Sequence, residues 1–327
     1  MKYRSLGNSG LKISEIGYGS WLTVSRTVDL DQTGTIVRAA HDAGVNFFDT
    51  ADVYNRGGAE ELMGQAIAGL PRHEIVLATK CFFPMGDDPN NRGLSRKHVM
   101  EAAHASLKRL RTDYIDLYQC HRYDESTPLE ETCRAMHDLI VQGKVLYWGV
   151  SQWNAPQIAA AVEFCRAHNL YAPVSNQPIY NLINRSLEID VLATCRTYGL
   201  GLVVYSPLAQ GVLTGKYSKG ARPEGSRATD EFAVQFMGKR LTEEWLARVD
   251  ALRPIAEKNT LSLAQLSLAW CLRRSELSSA IIGATRVDQL KDNIGASGVV
   301  LSESDLAAID IAMPTWPVDQ YTGNRIS

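Results

Sequence analysis

Four residues of complementary chemistry follow short apolar runs in this chain. Asp49 closes the run Asn46-Phe47-Phe48-Asp49-Thr50, and Tyr54 lies in the loop after it. Lys80 closes Ile75-Val76-Leu77-Ala78-Thr79-Lys80, and His121 closes Ile115-Asp116-Leu117-Tyr118-Gln119-Cys120-His121. A phenol of pKa about 10 is a poor proton donor or acceptor at neutral pH. A nearby ammonium lowers that pKa, and a carboxylate holds the ammonium charged and oriented. A histidine beside them can hydrogen-bond a carbonyl oxygen. Such a set protonates a developing alkoxide, and so calls for a hydride donor. A lysine in the same place also serves as a Schiff-base nucleophile, the lyase alternative. No metal is expected: one His and one Asp are too few ligands, and H-E-x-x-H is absent. The G-x-S-x-G elbow of acyl transfer is absent too.

These residues can meet only if the elements that carry them converge. Candidate strands fall at 15–19, 46–50, 75–80, 115–121, 146–151, 174–177, 202–206 and 280–283. Amphipathic helices separate most of them. In 95–110, Val99, Ala103, Leu107 and Leu110 share one face; in 128–143, Leu129, Cys133, Met136 and Ile140 do. Ser126-Thr127 before Pro128 predicts a capped start to the second, and Gly143 its end. Gly44 and Gly199 close two further helices. Eight alternating strands predict an α/β fold, a (β/α)8 TIM barrel, whose strand C-termini converge on one mouth. A doubly wound sheet is the competitor, but its G-x-G-x-x-G is missing: Gly17-Tyr18-Gly19 runs on as Ser20-Trp21-Leu22. Residues 2–13 read as an N-terminal hairpin closing the barrel floor. Residues 209–243 read as a long functional loop after strand seven, followed by extra helices. The tail after Ala312, with Pro314, Trp316 and Pro317, reads as irregular. Residues 1–327 are read as one domain.

Composition narrows the function classes. Lys+Arg 34 against Asp+Glu 36 in 327 residues gives net charge -2, which argues against a nucleic-acid surface. No apolar run has the roughly 18 residues of a membrane span, and Met1–Ser5 leads into no signal-peptide core. The cysteines Cys81, Cys120, Cys133, Cys165, Cys195 and Cys271 are widely spaced, with no C-x-x-C, and read as free thiols of a cytoplasmic protein.

The stretch Gly44–Tyr54, with Gly58-Ala59-Glu60-Glu61-Leu62-Met63-Gly64, resembles the signature of the aldo-keto reductase superfamily. Ser206–Tyr217, Ile282–Arg286 and Gln289–Asn293 are similar to bacterial relatives of voltage-gated potassium channel β-subunits. The resemblance implies NADPH (NADP+) as cofactor and a tetrad of Asp49, Tyr54, Lys80 and His121. It implies that Gly19, Ser20 and Trp21 approach the nicotinamide, with Ser151, Gln152 and Gln177 at its carboxamide and Tyr205 stacked on its ring. Ser206, Pro207, Leu208, Gly211 and Lys216 would strap the pyrophosphate, with Arg227 as a further phosphate contact. Thr285 and Arg286 would meet a phosphate, Arg286 the 2′-phosphate, and Gln289 and Asn293 the adenine, with Gly283 and Asp292 as further cofactor contacts. Arg286 suits a phosphate by bidentate bonding. Trp21, Tyr54, Phe82, Phe83 and His121, with Trp316, would line the pocket for a small-molecule carbonyl substrate. The implied activity is reduction of aldehydes and some ketones. Channel β-subunits carry Asn where this chain has His121, which favours catalysis over a non-catalytic, NADPH-binding partner role. Relatives form rings, so a homo-oligomer stays open.

Overall fold

The computed structural model describes residues 1–314. A hairpin of β1 (Tyr3–Ser5) and β2 (Lys12–Ser14) precedes the barrel. The barrel strands are β3 (Ile16–Gly19), β4 (Phe47–Asp49), β5 (Val76–Cys81), β6 (Ile115–Cys120), β7 (Val145–Ser151), β8 (Ser175–Gln177), β9 (Gly201–Val204) and β10 (Leu277–Ile282). They pair in parallel and in chain order, and β10 pairs with β3 to close the ring. Around it run α1 (Leu30–Asp42), α2 (Gly58–Ile67), α3 (Arg96–Leu110), α4 (Leu129–Val141), α5 (Ala155–Ala167) and α6 (Val191–Tyr198). After β9 come α7 (Glu243–Asp250), α8 (Arg253–Lys258) and α9 (Leu263–Leu272). After β10 come α10 (Val287–Ile294) and α11 (Glu303–Ala312). This is the (β/α)8 barrel with its N-terminal hairpin. Trp316 and Pro317 lie outside the described residues.

Side chains alternate between the faces of a strand, and this two-residue period layers the barrel interior. Its lower part is apolar: Phe47, Val76, Ala78, Leu117, Val203 and Ile281 pack with Leu6 and Ile13 of the hairpin. The hairpin therefore plugs the floor. Gly7 makes the close approach possible: its φ is +57°, and a Cβ there would sit 2.3 Å from the carbonyl oxygen of Gly199. Two residues beyond Phe47, Ala78 and Leu117 come Asp49, Lys80 and Gln119. Polar groups thus occupy the layer above the apolar plug, toward the strand C-termini.

Most helices follow their sequence pattern. Ser95 caps α3 by accepting from the His98 amide, and Val99, Ala103, Leu107 and Leu110 are buried. Gly44, Gly143 and Gly199 all take positive φ where helices end. Three boundaries depart from expectation. The start of α4 has no side-chain cap, because the cap position falls on Pro128, which has no side-chain acceptor; Ser126 and Thr127 lie before it and donate to the Asp124 carboxylate. Strand β10 begins at Leu277, three residues early; Ser278 and Ser279 look like turn residues, yet Ser278 Oγ donates to Ser5 O on the barrel floor. Strand β9 stops at Val204. Tyr205 makes only an isolated bridge to Ile179, and Ser206 turns to φ +52°. The 209–243 segment is not bare loop but holds four short 3₁₀ turns.

Candidate active site

Asp49, at the end of β4, and Lys80, near the end of β5, meet inside the barrel. Lys80 Nζ donates to Asp49 Oδ2 at 2.6 Å, to Thr50 O at 2.7 Å and to the Tyr54 hydroxyl at 3.4 Å. The Lys80 and Asp49 side chains are 0% and 5% exposed. A charge taken this far from water persists only if paired and hydrogen-bonded. Asp49 Oδ1 completes the network, accepting from Gln177 Nε2 at 2.9 Å and Gln119 Nε2 at 3.4 Å. Gln119 was not singled out by sequence reasoning. Its signal is the period: it stands two residues before His121, on the same strand face.

Tyr54 hangs on a short turn, Tyr54–Gly57, in which Asn55 and Arg56 take left-handed backbone angles. Asn55 Nδ2 ties that turn to the loop after β3 through Ser25 O at 3.0 Å. Such backbone costs free energy and collects at functional sites. The loops at this end hold more of it, at Gln152, Ser206, Ala209 and Gln210. The Tyr54 ring lies 5.7 Å from the His121 ring, edge to face, and 6.5 Å from Trp21. Phe83 meets His121 edge-on at 4.9 Å. Phe82 touches Phe83 but otherwise packs against the core.

Burial, and then the Asp49 charge, holds the Tyr54 phenol well above its usual pKa. This reverses the expected lowering by Lys80. The Lys80 charge is matched by Asp49 at 2.6 Å, so the phenol faces an ion pair rather than a lone cation. Burial also lowers the Lys80 pKa, against the pull of Asp49. Burial, then the cations of Lys80 and Arg122, pushes His121 well below the usual imidazole value. Its ring is neutral at physiological pH. Behind the tetrad, burial and then the Glu60 charge raise Asp52 to about 8, and Asp52 Oδ2 has no partner among the described residues. Glu60 itself accepts from Arg109 Nε at 2.6 Å and from Thr79 Oγ1 at 2.5 Å.

The remaining expected positions border the same mouth. Gly19 is so tightly packed that a Cβ would lie 2.5 Å from Ile281 Cγ2. Ser20 Oγ donates to Thr50 Oγ1 at 2.8 Å. Ser151 Oγ donates to Gln177 O at 2.9 Å, and Gln152 Nε2 donates to the Tyr205 hydroxyl. After Tyr205 the chain climbs through Ser206, Pro207 and Leu208 to Gly211, whose φ of +94° lets Lys216 Nζ lie 3.1 Å from where a Cβ would be. Gln210 joins Ser206 Oγ, at 2.6 Å, to the Arg227 guanidinium. Arg227 reaches Gly283, just past the end of β10. Lys216 is exposed, yet partial enclosure and then repulsion by Arg227 and Arg286 lower its pKa. Among the described residues, no carboxylate pairs with Lys216 or Arg227. Such a group of uncompensated cations fits a phosphate.

The other expected positions make these contacts within the protein. Arg286 pairs with Asp288 on the surface, 3.0 Å away. Gln289 Oε1 accepts from Thr285 N at 3.0 Å, which ties the residue before the helix cap back to the first turn of α10. The Asp292 carboxylate accepts from Ser262 Oγ at 3.0 Å. Asn293 is buried.

The segment after β9 also crosses back to the loop after β3. Phe236 stands edge-on to Trp21 at 4.8 Å, Arg26 pairs with Asp230 at 2.9 Å, and Arg26 lies 4.3 Å from the centre of the Phe232 ring. Sequence reasoning missed these contacts, since no local pattern joins residues some 200 positions apart. Among the described residues, no group of three or more His, Cys, Asp or Glu could hold a metal, and no helix is long and apolar enough to cross a membrane.

Comparison with known proteins places most of the chain in a family. The profile described as "Aldo/keto reductase family" matches residues 15–313. Proteins of Oryza sativa subsp. japonica and Arabidopsis thaliana, each named "Probable voltage-gated potassium channel subunit beta", are each 46% identical over 303 residues. Those matches cover 92% of this chain and 92% of each relative. A Schizosaccharomyces pombe protein that also carries a channel subunit beta name is 43% identical over 330 residues, covering 98% of this chain and 95% of its own.

Proposed function

The chain belongs to the aldo/keto reductase family, and from that premise we propose that it is an NADPH-dependent reductase of aldehydes and some ketones. One observation carries the reading: a phenol held neutral by burial stands 3.4 Å from a buried ammonium, beside a neutral histidine, at the mouth of the barrel. Members of the family generally bind a nicotinamide dinucleotide, and the residues here fit one. The Tyr205 ring offers a flat face, Ser151, Gln152 and Gln177 offer polar groups, and Lys216, Arg227 and Arg286 offer charge. When bound, the reduced nicotinamide supplies the hydride.

The chain's own groups handle the proton. The carbonyl oxygen sits between the Tyr54 hydroxyl and the neutral His121 imidazole, which polarises it by an N–H bond. As negative charge grows on that oxygen, Tyr54 gives up its proton, and a phenolate is left beside the Lys80 ammonium. Lys80 thus stabilises the phenolate formed during reaction rather than the resting state. Asp49 keeps Lys80 charged; Gln119 and Gln177 hold Asp49. The substrate is a small carbonyl compound, with no nucleic acid or membrane involved. Six buried free thiols suit the reducing cytoplasm.

The test is Tyr54→Phe with NADPH and a panel of aldehydes. General acid catalysis contributes roughly 10²–10⁴-fold, so turnover should fall by that much while NADPH binding stays near normal. Wild-type turnover should show no break near pH 6.5 from His121 and none from Tyr54 below pH about 10. Retained turnover in Tyr54→Phe removes the mechanism.

The channel-subunit names of the relatives favour a second reading, a nucleotide-binding partner protein with little turnover. Tight NADPH binding without aldehyde-dependent NADPH oxidation would select it. A Schiff-base lyase is disfavoured, because Lys80 Nζ is already committed to Asp49 and Thr50 O.

A further inference from the structure

Beside His121 stands a guanidinium that no acid on the described chain balances. Arg122 is half-buried. It donates through Nη1 to His121 O and lies 5.4 Å from the centre of the Phe83 ring. Phe83 in turn meets the His121 imidazole, and that ring meets Tyr54. Arg122 is therefore continuous with the tetrad. Among the described residues no carboxylate forms an ion pair with it. The nearby acids are all engaged: Asp49 with Lys80, Asp52 by its proton up to a pKa of about 8, and Asp124 with Leu94 N, Ser126 and Thr127.

The Arg122 charge acts on Tyr54, Lys80, His121 and Tyr205. A second guanidinium, Arg240 of the segment after β9, also acts on Tyr205 and donates to the carbonyl oxygens of Phe236 and Met237. These cations are distinct from the phosphate-fitting group, where Lys216 is acted on by Arg227 and Arg286 instead. Arg122 has five N–H donors, and the described protein takes one of them. A half-buried guanidinium with donors the protein does not use can offer them, in its planar fork, to an anionic ligand.

We infer that Arg122 is a specificity-determining residue, which selects carbonyl substrates that carry an anionic group, a carboxylate or a phosphate monoester. The inference rests on the carbonyl-reduction reading. The planar guanidinium grips the anion in bidentate fashion while the carbonyl oxygen lies between Tyr54 and His121. The anionic group takes no part in the bond changes. Its grip is the same before and during reaction, so it appears in KM rather than kcat.

The test compares para-formylbenzoate with its methyl ester, and glycolaldehyde phosphate with glycolaldehyde, in wild type, Arg122→Gln and Arg122→Lys. A charged hydrogen-bonded contact contributes about 1.5–3 kcal/mol, roughly a 10–100-fold preference. Wild type should prefer the anionic member of at least one pair by that factor in kcat/KM, through KM. Arg122→Gln should bring the ratio near one, and Arg122→Lys should restore part of it. The pair with the larger Arg122-dependent ratio identifies the anion. A ratio near one in wild type, or one unmoved by Arg122→Gln, overturns the inference and leaves carbonyl reduction standing. An equal fall for charged and uncharged members, through kcat, also overturns it, since Arg122 would then act only by holding His121. Calorimetric binding of the same compounds to the NADP+-loaded protein separates the two readings. If no carbonyl is turned over, an Arg122-dependent preference for the anion still upholds the site, and its absence removes it.

Discussion

Lys80→Met removes the cation at the centre of the buried network, and its cost follows from the bonds that Nζ makes there. Nζ donates to Asp49 Oδ2 at 2.6 Å and to Thr50 O at 2.7 Å, and the ion pair is almost fully out of water. Hydrogen bonds from charged groups contribute about 1.5–3 kcal/mol each. Breaking one side of a buried pair costs about 3–5 kcal/mol, because the other charge is stranded. The two figures agree, so Lys80→Met should destabilise by roughly 3–5 kcal/mol. At about 2 °C per kcal/mol for a chain of this size, Tm falls by about 6–10 °C. Asp49→Asn should cost a similar amount by stranding Lys80. That loss should shrink as pH rises: burial already lowers the Lys80 pKa, so the native state sheds the proton before the unfolded state does. The double variant strands neither charge, and its amide oxygen can still accept from Gln177 and Gln119. Its cost should be only about 1–3 kcal/mol, that of an unpaired Thr50 carbonyl. Thermal and denaturant unfolding of the four proteins closes the cycle, with an expected coupling of at least about 3 kcal/mol. Turnover should stay lost in the double variant although the fold recovers. Single costs that add to within about 0.5 kcal/mol would refute the reasoning.

Two further outcomes follow from the site. Asp52 keeps its proton in the native state up to a pKa of about 8, whereas an unfolded chain releases it near the ordinary 3.8. Across that window the native state binds more protons, so Asp52 makes stability fall as pH rises from about 4 to 8, by on the order of 5 kcal/mol in full. Asp52→Asn should gain in Tm over wild type at pH 8 and much less at pH 4; equal gaps at both would sink this account. Arg286→Glu should weaken NADPH by roughly 10–100-fold and NADH far less, the size of a lost charged contact to phosphate. Equal losses in fluorescence titrations would remove Arg286 from the 2′-phosphate.

The fold was legible because a β/α barrel repeats one pattern eight times. Every barrel strand overlaps an expected run, and the largest shift is at β10, where the first three residues were missed. Such departures arose where a side-chain hydroxyl had a partner distant in sequence, as at Ser278, or where the cap position fell one residue later than the hydroxyls before it, at Pro128. The tetrad residues were legible as ionisable groups at strand ends. The sense of the Tyr54 shift was not, since it depends on how completely Asp49 neutralises Lys80, a matter of ångströms rather than residue types. Gln119 escaped because its partners, Asp49 and Gln177, come from other strands, and Arg122 because its approach to Phe83 joins two different loops. The Trp21–Phe236 and Arg26–Asp230 contacts have no sequence signal at all.

The order of strands around the ring divides labour along the chain. Asp49, Tyr54, Lys80 and His121 all come from the arc β3–β6 and its loops, whereas Lys216, Arg227 and Arg286 all follow β9. The loop after β6 is the natural seam between them. A recombination there would exchange the portion that fits a phosphate together with Gln177, the β8 residue that reaches across to hold Asp49. Fragments cut at that seam should still find one another, since β6–β7 and β3–β10 pairing rejoins both edges. A ring of one parallel repeat thus keeps the groups placed to handle a proton and the cations that fit a phosphate on separate arcs, tied together through Gln177.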